Sequence, residues 1–459
     1  MSSPTEPLSK LSLGSMPPTT RLQSRRQREA EEESSSDSES SDSGFDIEDS
    51  SAITLPSRNK YSLDYLDERT RQNVSRTVAK AIETPSKFIL LRCQSRDQQF
   101  IFEIAESVEY TIRTGTENTD YDVPNCSCEC AERGESPCRH ILWLFDQISN
   151  QVLVGQRSPL ILTQHGYSVE LGNPYYKISS FHLDVLADSL RCDAVGQSGD
   201  PNPRRVQETR EILASLNEVP IDEYRPDLFN NPRKGRRVIK KGDLEQTVFR
   251  MLLRNDEFFQ YFLSSMRADE LVNNRFRSLQ HRADSALAGL DQYASDPSQQ
   301  TITMPKDVEW CSMHLTLITQ QIRSTIQNTD YSLEMWELRA AARALVHVLG
   351  EITKWNRDIG PGELPKTQRN LYYRLIGDQD RNFVLEVLDT IIPEVLHPWA
   401  PELGDIEDKI SRHGVPLSYL ERLRSLITRI RSSRSAGTSL PTGSKRAVQG
   451  QDRGAKRRK

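Results

Sequence analysis

The chain has 459 residues, 36% of them hydrophobic and 27% charged, with a formal net charge of −5. That length has room for two or three domains, but a mean hydropathy of −0.63 is too low for all of it to bury a core. No segment approaches about eighteen uninterrupted apolar residues, and the start, Met1-Ser2-Ser3-Pro4-Thr5-Glu6-Pro7, has no apolar leader, so a soluble intracellular protein with no membrane partner is expected.

Residues 1–58 are rich in Ser, Pro, Thr and charge, and Glu29 to Asp49 holds ten acidic residues and no basic one. Such a stretch buries too little apolar surface to offset its ordering entropy, and a disordered tail is expected. Its run Ser34-Ser35-Ser36-Asp37-Ser38-Glu39-Ser40-Ser41-Asp42-Ser43 sets serines ahead of acids, a substrate pattern for an acidophilic kinase. A module is expected over 59–150, its core at 85–150. There Lys87 to Cys93, Gln99 to Ile104 and Val108 to Arg113 are β-rich runs separated by turn residues, which read as a meander.

Next comes Cys126-Ser-Cys128-Glu-Cys130-Ala-Glu-Arg-Gly-Glu-Ser-Pro-Cys138-Arg-His140, which holds four of the seven cysteines and a histidine. Zinc takes four tetrahedral thiolate and imidazole ligands, presented in structural sites as two short pairs separated by a loop. Cys138 and His140 make the second pair. The first is either Cys126 with Cys128 or Cys128 with Cys130, since both loops are long enough to close a tetrahedron. The apolar run from His140 to Ile148 is a helix that begins at the second pair.

The stretch 151–242 reads as a linker with short helices, among them Arg204 to Leu216, and a basic loop. That loop, Pro232 to Lys241, holds Arg233, Lys234, Arg236, Arg237, Lys240 and Lys241, which could follow a phosphate backbone or form a solvated linker. An all-helical domain is expected over 243–434. Asp243 caps a helix from Leu244 to Met266, and others run over Asp269 to Tyr293, Pro305 to Gln327, Leu333 to Asn356 with Ser332 as cap, and Lys366 to Ile376. Asp380 to Leu396 contains Pro393, which should bend or stop it, and Pro416 to Arg434 closes the set. Residues 435–459 form a disordered basic tail, where Lys445, Arg446, Lys456, Arg457, Arg458 and Lys459 read as a bipartite nuclear import signal. The overall class is α+β but mostly α, and the expected location is the nucleus.

The order Cys-x-Cys, loop, Cys-x-His resembles the SWIM zinc finger, a small ββα module, and through this finger the chain most resembles the SWIM-finger proteins of fungi. The resemblance implies one structural Zn2+ held by Cys126, Cys128, Cys138 and His140. Pro124-Asn-Cys-Ser-Cys looks like the family's lead-in, while Cys130 departs from its pattern and stands as the alternative ligand. Four protein ligands leave no open position for a catalytic water. The chain has no phosphate loop, no His-Glu-x-x-His helix and no Gly-x-Ser-x-Gly turn, so no enzyme and no small-molecule substrate are expected. Lone histidines such as His281, His314 and His347, and the scattered Cys93, Cys192 and Cys311, read as ordinary core or surface residues. SWIM modules are associated with DNA and with protein contacts. The expectation is therefore a non-enzymatic nuclear protein that binds DNA or chromatin-associated proteins, or else an adaptor such as a ubiquitin-ligase substrate receptor.

Overall fold

The computed structural model describes residues 52–83, 88–106, 108–153, 159–195, 202–229, 232, 237–267, 270–296, 304–327, 332–359, 363–377 and 382–436. The acidic run, the kinase-type serines and the basic tail, including Lys445, Arg446 and Lys456 to Lys459, lie outside them. So do Arg233, Lys234 and Arg236 of the basic loop.

The fold begins within the stretch read as tail. Strand β1 (Ala52–Thr54) pairs antiparallel with β2 (Lys60–Ser62), and Leu55 between them is buried. Helix α1 (Glu68–Glu83) was not anticipated, because its core face is thin: Val74 is fully buried and Val78 partly so. The meander is then observed as β3 (Ile89–Arg96), β4 (Gln99–Ala105) and β5 (Glu109–Gly115), antiparallel throughout. Phe100, Phe102, Ile104 and Ile112 are buried in it. Short β6 (Asn125–Cys126) extends β5, and α2 (Glu129–Glu132) and α3 (Arg139–Val152) complete the predicted module.

The stretch read as a linker is folded into this module. Strand β7 (Leu160–Ile161) pairs parallel with β2, and β8 (Asp193–Val195) pairs parallel with β3, so the larger sheet has the order β6-β5-β4-β3-β8. Helices α4 (Pro174–Phe181) and α5 (Leu183–Ser189) bury Ile178, Phe181, Val185 and Leu186 in the same core. Helices α6 (Pro203–Leu216), α7 (Pro226–Phe229), α8 (Leu244–Arg254) and α9 (Asp256–Ser265) build a second core around Ile212, Phe249, Leu252 and Phe259. Asp243 does cap α8, its side chain accepting from Gln246 N, but the expected single helix to Met266 breaks at Asn255, whose own side chain caps α9.

The rest is helical: α10 (Arg275–Ser295), α11 (Val308–Ile326), α12 (Met335–Thr353), α13 (Lys366–Arg369), α14 (Leu371–Leu375), α15 (Leu385–Leu388), α16 (Pro393–Leu396), α17 (Ala400–His413) and α18 (Leu417–Ala436). The expected Lys366–Ile376 helix breaks at Asn370, which caps α14, and α17 has no counterpart among the expected helices. Several starts shift. Asp307, not Pro305, precedes α11, and Glu334, not Ser332, heads α12 in a reciprocal capping box with Glu337. Pro393 opens α16 at a position where its missing N–H costs nothing. These helices, the sheet and α3 share one continuous core.

Helix α3 is the element that touches everything. Its Asp146, 1% exposed, accepts from Ser57 N at 2.8 Å, Tyr61 OH at 3.1 Å and the Ser57 hydroxyl, which ties the β1–β2 hairpin to the helix. At its other end the Gln151 side chain and carbonyl both accept from Arg282 of α10, and the Asn150 carbonyl accepts from Gln321 of α11 at 3.4 Å.

Among the lone histidines, His314 is fully buried between the rings of Phe181 and Trp310, each 4.3 Å away. Burial pushes its imidazole well below its ordinary value, and Arg282, His182 and Lys306 add to this. The unfolded chain takes up this proton near pH 6.5 and the folded chain does not, so His314 lowers stability progressively as pH falls below that value. We predict that His314→Leu flattens the pH dependence of the urea midpoint between pH 7 and pH 5. The change should approach about 1.4 kcal/mol per pH unit for the one proton removed. An unchanged slope would show that His314 ionises freely in the folded state.

Candidate metal centre

The backbone prepares the first ligand pair before any side chain meets. Ile112 of β5 pairs with Cys126, and Ser127 N–H then donates to Thr111 O at 3.0 Å while its hydroxyl accepts from Thr111 N at 2.9 Å. Both faces of Ser127 are thus stitched to the sheet, and Cys126 and Cys128 project from either side of it. Cys128 is the residue before α2, and the loop returns through Gly134, whose φ of 74° suits glycine. Cys138 stands before α3 in extended conformation, so His140 falls in the first turn of that helix, as the sequence predicts. The neighbouring Gly166, φ 86°, packs so close to Pro137 and Ile141 that a Cβ there would sit 2.6 Å from Pro137 Cβ.

The outcome is that Cys126, Cys128, Cys138 and His140 are all buried, with one ligand atom of each within 4.8 Å of every other. The imidazole Nδ1 lies 3.7 Å from Cys126 Sγ and 3.9 Å from Cys138 Sγ. With metal bonds of about 2.3 Å to sulfur and about 2.0 Å to nitrogen, a tetrahedron has edges near 3.6 Å, so these spacings suit Nδ1 as the ligand atom. The set fits a structural zinc ion. Cys130, the alternative ligand, is exposed and lies outside this cluster. Arg237, Lys240 and Lys241 are exposed and belong to a different part of the chain surface.

The electrostatics point the same way. The hydrogen bond joining Cys126 to Cys128 drives the Cys126 thiol far above its ordinary value and the Cys128 thiol far below it. Cys138, which a hydrogen bond with Cys126 lowers, is carried up to about 12 by Cys128 and by burial. Three thiols packed together out of water cannot all ionise without a cation among them. A divalent ion supplies that charge.

Three residues around His140 were not visible in the sequence. Tyr110 and Phe88 hold the imidazole between rings at 4.3 and 5.3 Å, and its Nε2 faces Glu106 Oε2 at 3.6 Å. Glu106 is itself fixed by Arg139 at 2.7 Å. A carboxylate facing the far nitrogen of a liganding histidine orients the ring and raises its basicity. Their only sequence signal is position: Glu106 and Tyr110 flank the β4–β5 turn, but nothing local couples that turn to residue 140.

Residues 119–148 match the SWIM zinc finger family. No curated protein and no solved structure matched the chain. The protein therefore carries a SWIM zinc finger, set in a larger fold of mostly helical residues.

Two outcomes are expected at this centre. Cys138→Ser should lose the ion and unfold the finger, since structural zinc contributes roughly 10 to 16 kcal/mol of apparent binding free energy in small modules. Cys130→Ser should keep one zinc per chain by elemental analysis, and retention of zinc by the first variant or its loss from the second would contradict the ligand assignment. Separately, Glu106→Ala should weaken zinc binding about tenfold or more in competition with a chelating dye. Undiminished affinity would remove Glu106 from any role in orienting His140.

Proposed function

We propose that this is a non-enzymatic nuclear protein whose zinc-fixed finger binds DNA or chromatin-associated proteins. The observation that carries the reading is the closed, fully buried ligand set, which suits a scaffold and leaves no position for a reacting water. The finger's α3 is locked at both ends into the main core, so whatever surface the finger offers is presented rigidly. That rigidity lowers the ordering cost of association.

The nuclear part of the reading rests on the sequence alone: Lys445-Arg446, a spacer, and Lys456-Arg457-Arg458-Lys459. The same arm adds phosphate affinity where DNA is the partner. The likeness to the SWIM-finger proteins of fungi is part of this proposal. The adaptor reading shares the zinc scaffold and differs in what the helical array holds.

Binding of the full chain to duplex DNA across a salt series tests the DNA arm. Contacts to six or more phosphates imply that affinity falls roughly a thousandfold between 50 and 200 mM salt. Salt-independent binding, or none, counts against DNA. Co-purification of cullin-type subunits in place of chromatin proteins would then favour the adaptor.

A further inference from the structure

We infer that residues 237–241 of the basic loop, with the first turn of α8, form a docking surface for an acidic peptide segment carrying aliphatic side chains. The surface lies in the second core, outside the finger, and does not depend on what the finger binds. Residues 237 to 243 are laid along α8 and do not trail free. Lys240 N–H donates to Thr247 Oγ1 at 3.0 Å, Arg250 Nη1 donates to Arg237 O at 2.9 Å, and Asp243 N–H closes a turn on Lys240 O at 3.2 Å. Gly242, φ 79°, makes that turn possible.

The fastening sets Ile239 and Leu244 on the two sides of one turn. Thr247 holds the backbone next to Ile239, and Leu244 lies three residues before Thr247 on the same helix face. Ile239 is 72% exposed and Leu244 78% exposed. Arg237, Lys240 and Lys241, all exposed, rim the pair. Asp243 and Glu245 share the guanidinium of Arg225 with Asp227, at 2.9, 2.7 and 2.8 Å, so that with Arg237, Lys240 and Lys241 four cations stand against three acids. The outward charge is thus cationic around an apolar centre.

That combination discriminates between partners. A phosphate backbone matches the cations but leaves Ile239 and Leu244 against water or against charge. Nor does the described loop offer an aromatic platform for bases. A peptide in which carboxylates alternate with aliphatic residues satisfies both, with an apolar centre inside a charged rim, as in protein interfaces generally.

The test uses the full-length, zinc-loaded protein and fluorescence anisotropy with three labelled probes. These are a short synthetic peptide alternating Glu and Leu, the same peptide with Ser in place of Leu, and duplex DNA. The Glu/Leu peptide should bind about tenfold or more tightly than the Glu/Ser peptide. The double variant Ile239→Ser with Leu244→Ser should erase that difference while keeping helicity and zinc content. Lys240→Glu with Lys241→Glu should abolish binding of both peptides. Equal binding of the two peptides, binding of neither, or a preference for DNA that only the charge variant removes would overturn the proposal.

Discussion

One contact organises the finger, the closure of three sulfurs and an imidazole around the start of α3. Cys138 and His140 fix where that helix begins and how it is rotated. Rotation then decides which residues face inward: Ile141, Leu144, Phe145 and Ile148 are all buried to within 1%. A small shift at the ligand turn would move every one of them, since a helix transmits its phase along its length. The zinc site is thus a register pin for the main core as well as a local staple.

The polar groups on α3 show how a charge can be buried usefully. Desolvation pushes the Asp146 carboxyl up, yet hydrogen bonds from Ser57, Tyr61 and Asn59 oppose that, and the charge is spent on anchoring the first hairpin. Arg282, at the other end, is buried with no carboxylate partner among the described residues. It meets Gln151 and Gln321 and lies 4.8 Å from the Phe181 ring, and burial brings its guanidinium down to about 10. Amide oxygens meet its two Nη atoms and a ring face lies beside it, while Nε finds no partner among the described residues. Both arrangements are specific in geometry, so both orient α3 against its neighbours.

The legible parts of the sequence are those where the signal is local. The meander strands are β-rich runs of seven or eight residues, the ligand spacing names its own chemistry, and Asp243 caps the helix that follows it. The parts that were missed depend on distant partners or on residues with two roles. Strands β7 and β8 span two and three residues, too short to show a period, and their parallel partners are far away in the chain. Asn255 lies inside an apolar stripe that continues past it, so the periodicity hides a cap. Helix α17 was obscured by Pro401 and Gly404, although a proline in the first turn is compatible with a helix. Cys126 and Cys130 differ in which thiol is buried beside Cys128, Cys138 and His140, a tertiary fact.

The stretch between the finger and the helical array changes how the finger should be understood. Strand β8 forms one edge of its sheet, and Cys192 and Cys93, both buried, lie 3.8 Å apart where that edge is sealed. From there Asp188 and Asp193 reach Arg204 and Asn202 at the start of α6. Glu211 in the same helix, nearly fully buried, binds Arg277 of α10 at 2.7 Å. The second core is therefore joined to the main one through a helix pinned at both ends by ion pairs. Buried pairs of this kind add little net stability but penalise any other docking angle, because a shift leaves a charge unpartnered. A finger cut at residue 150 would lose an edge strand and the helices that cover it, so the folding unit is the finger together with its covering helices.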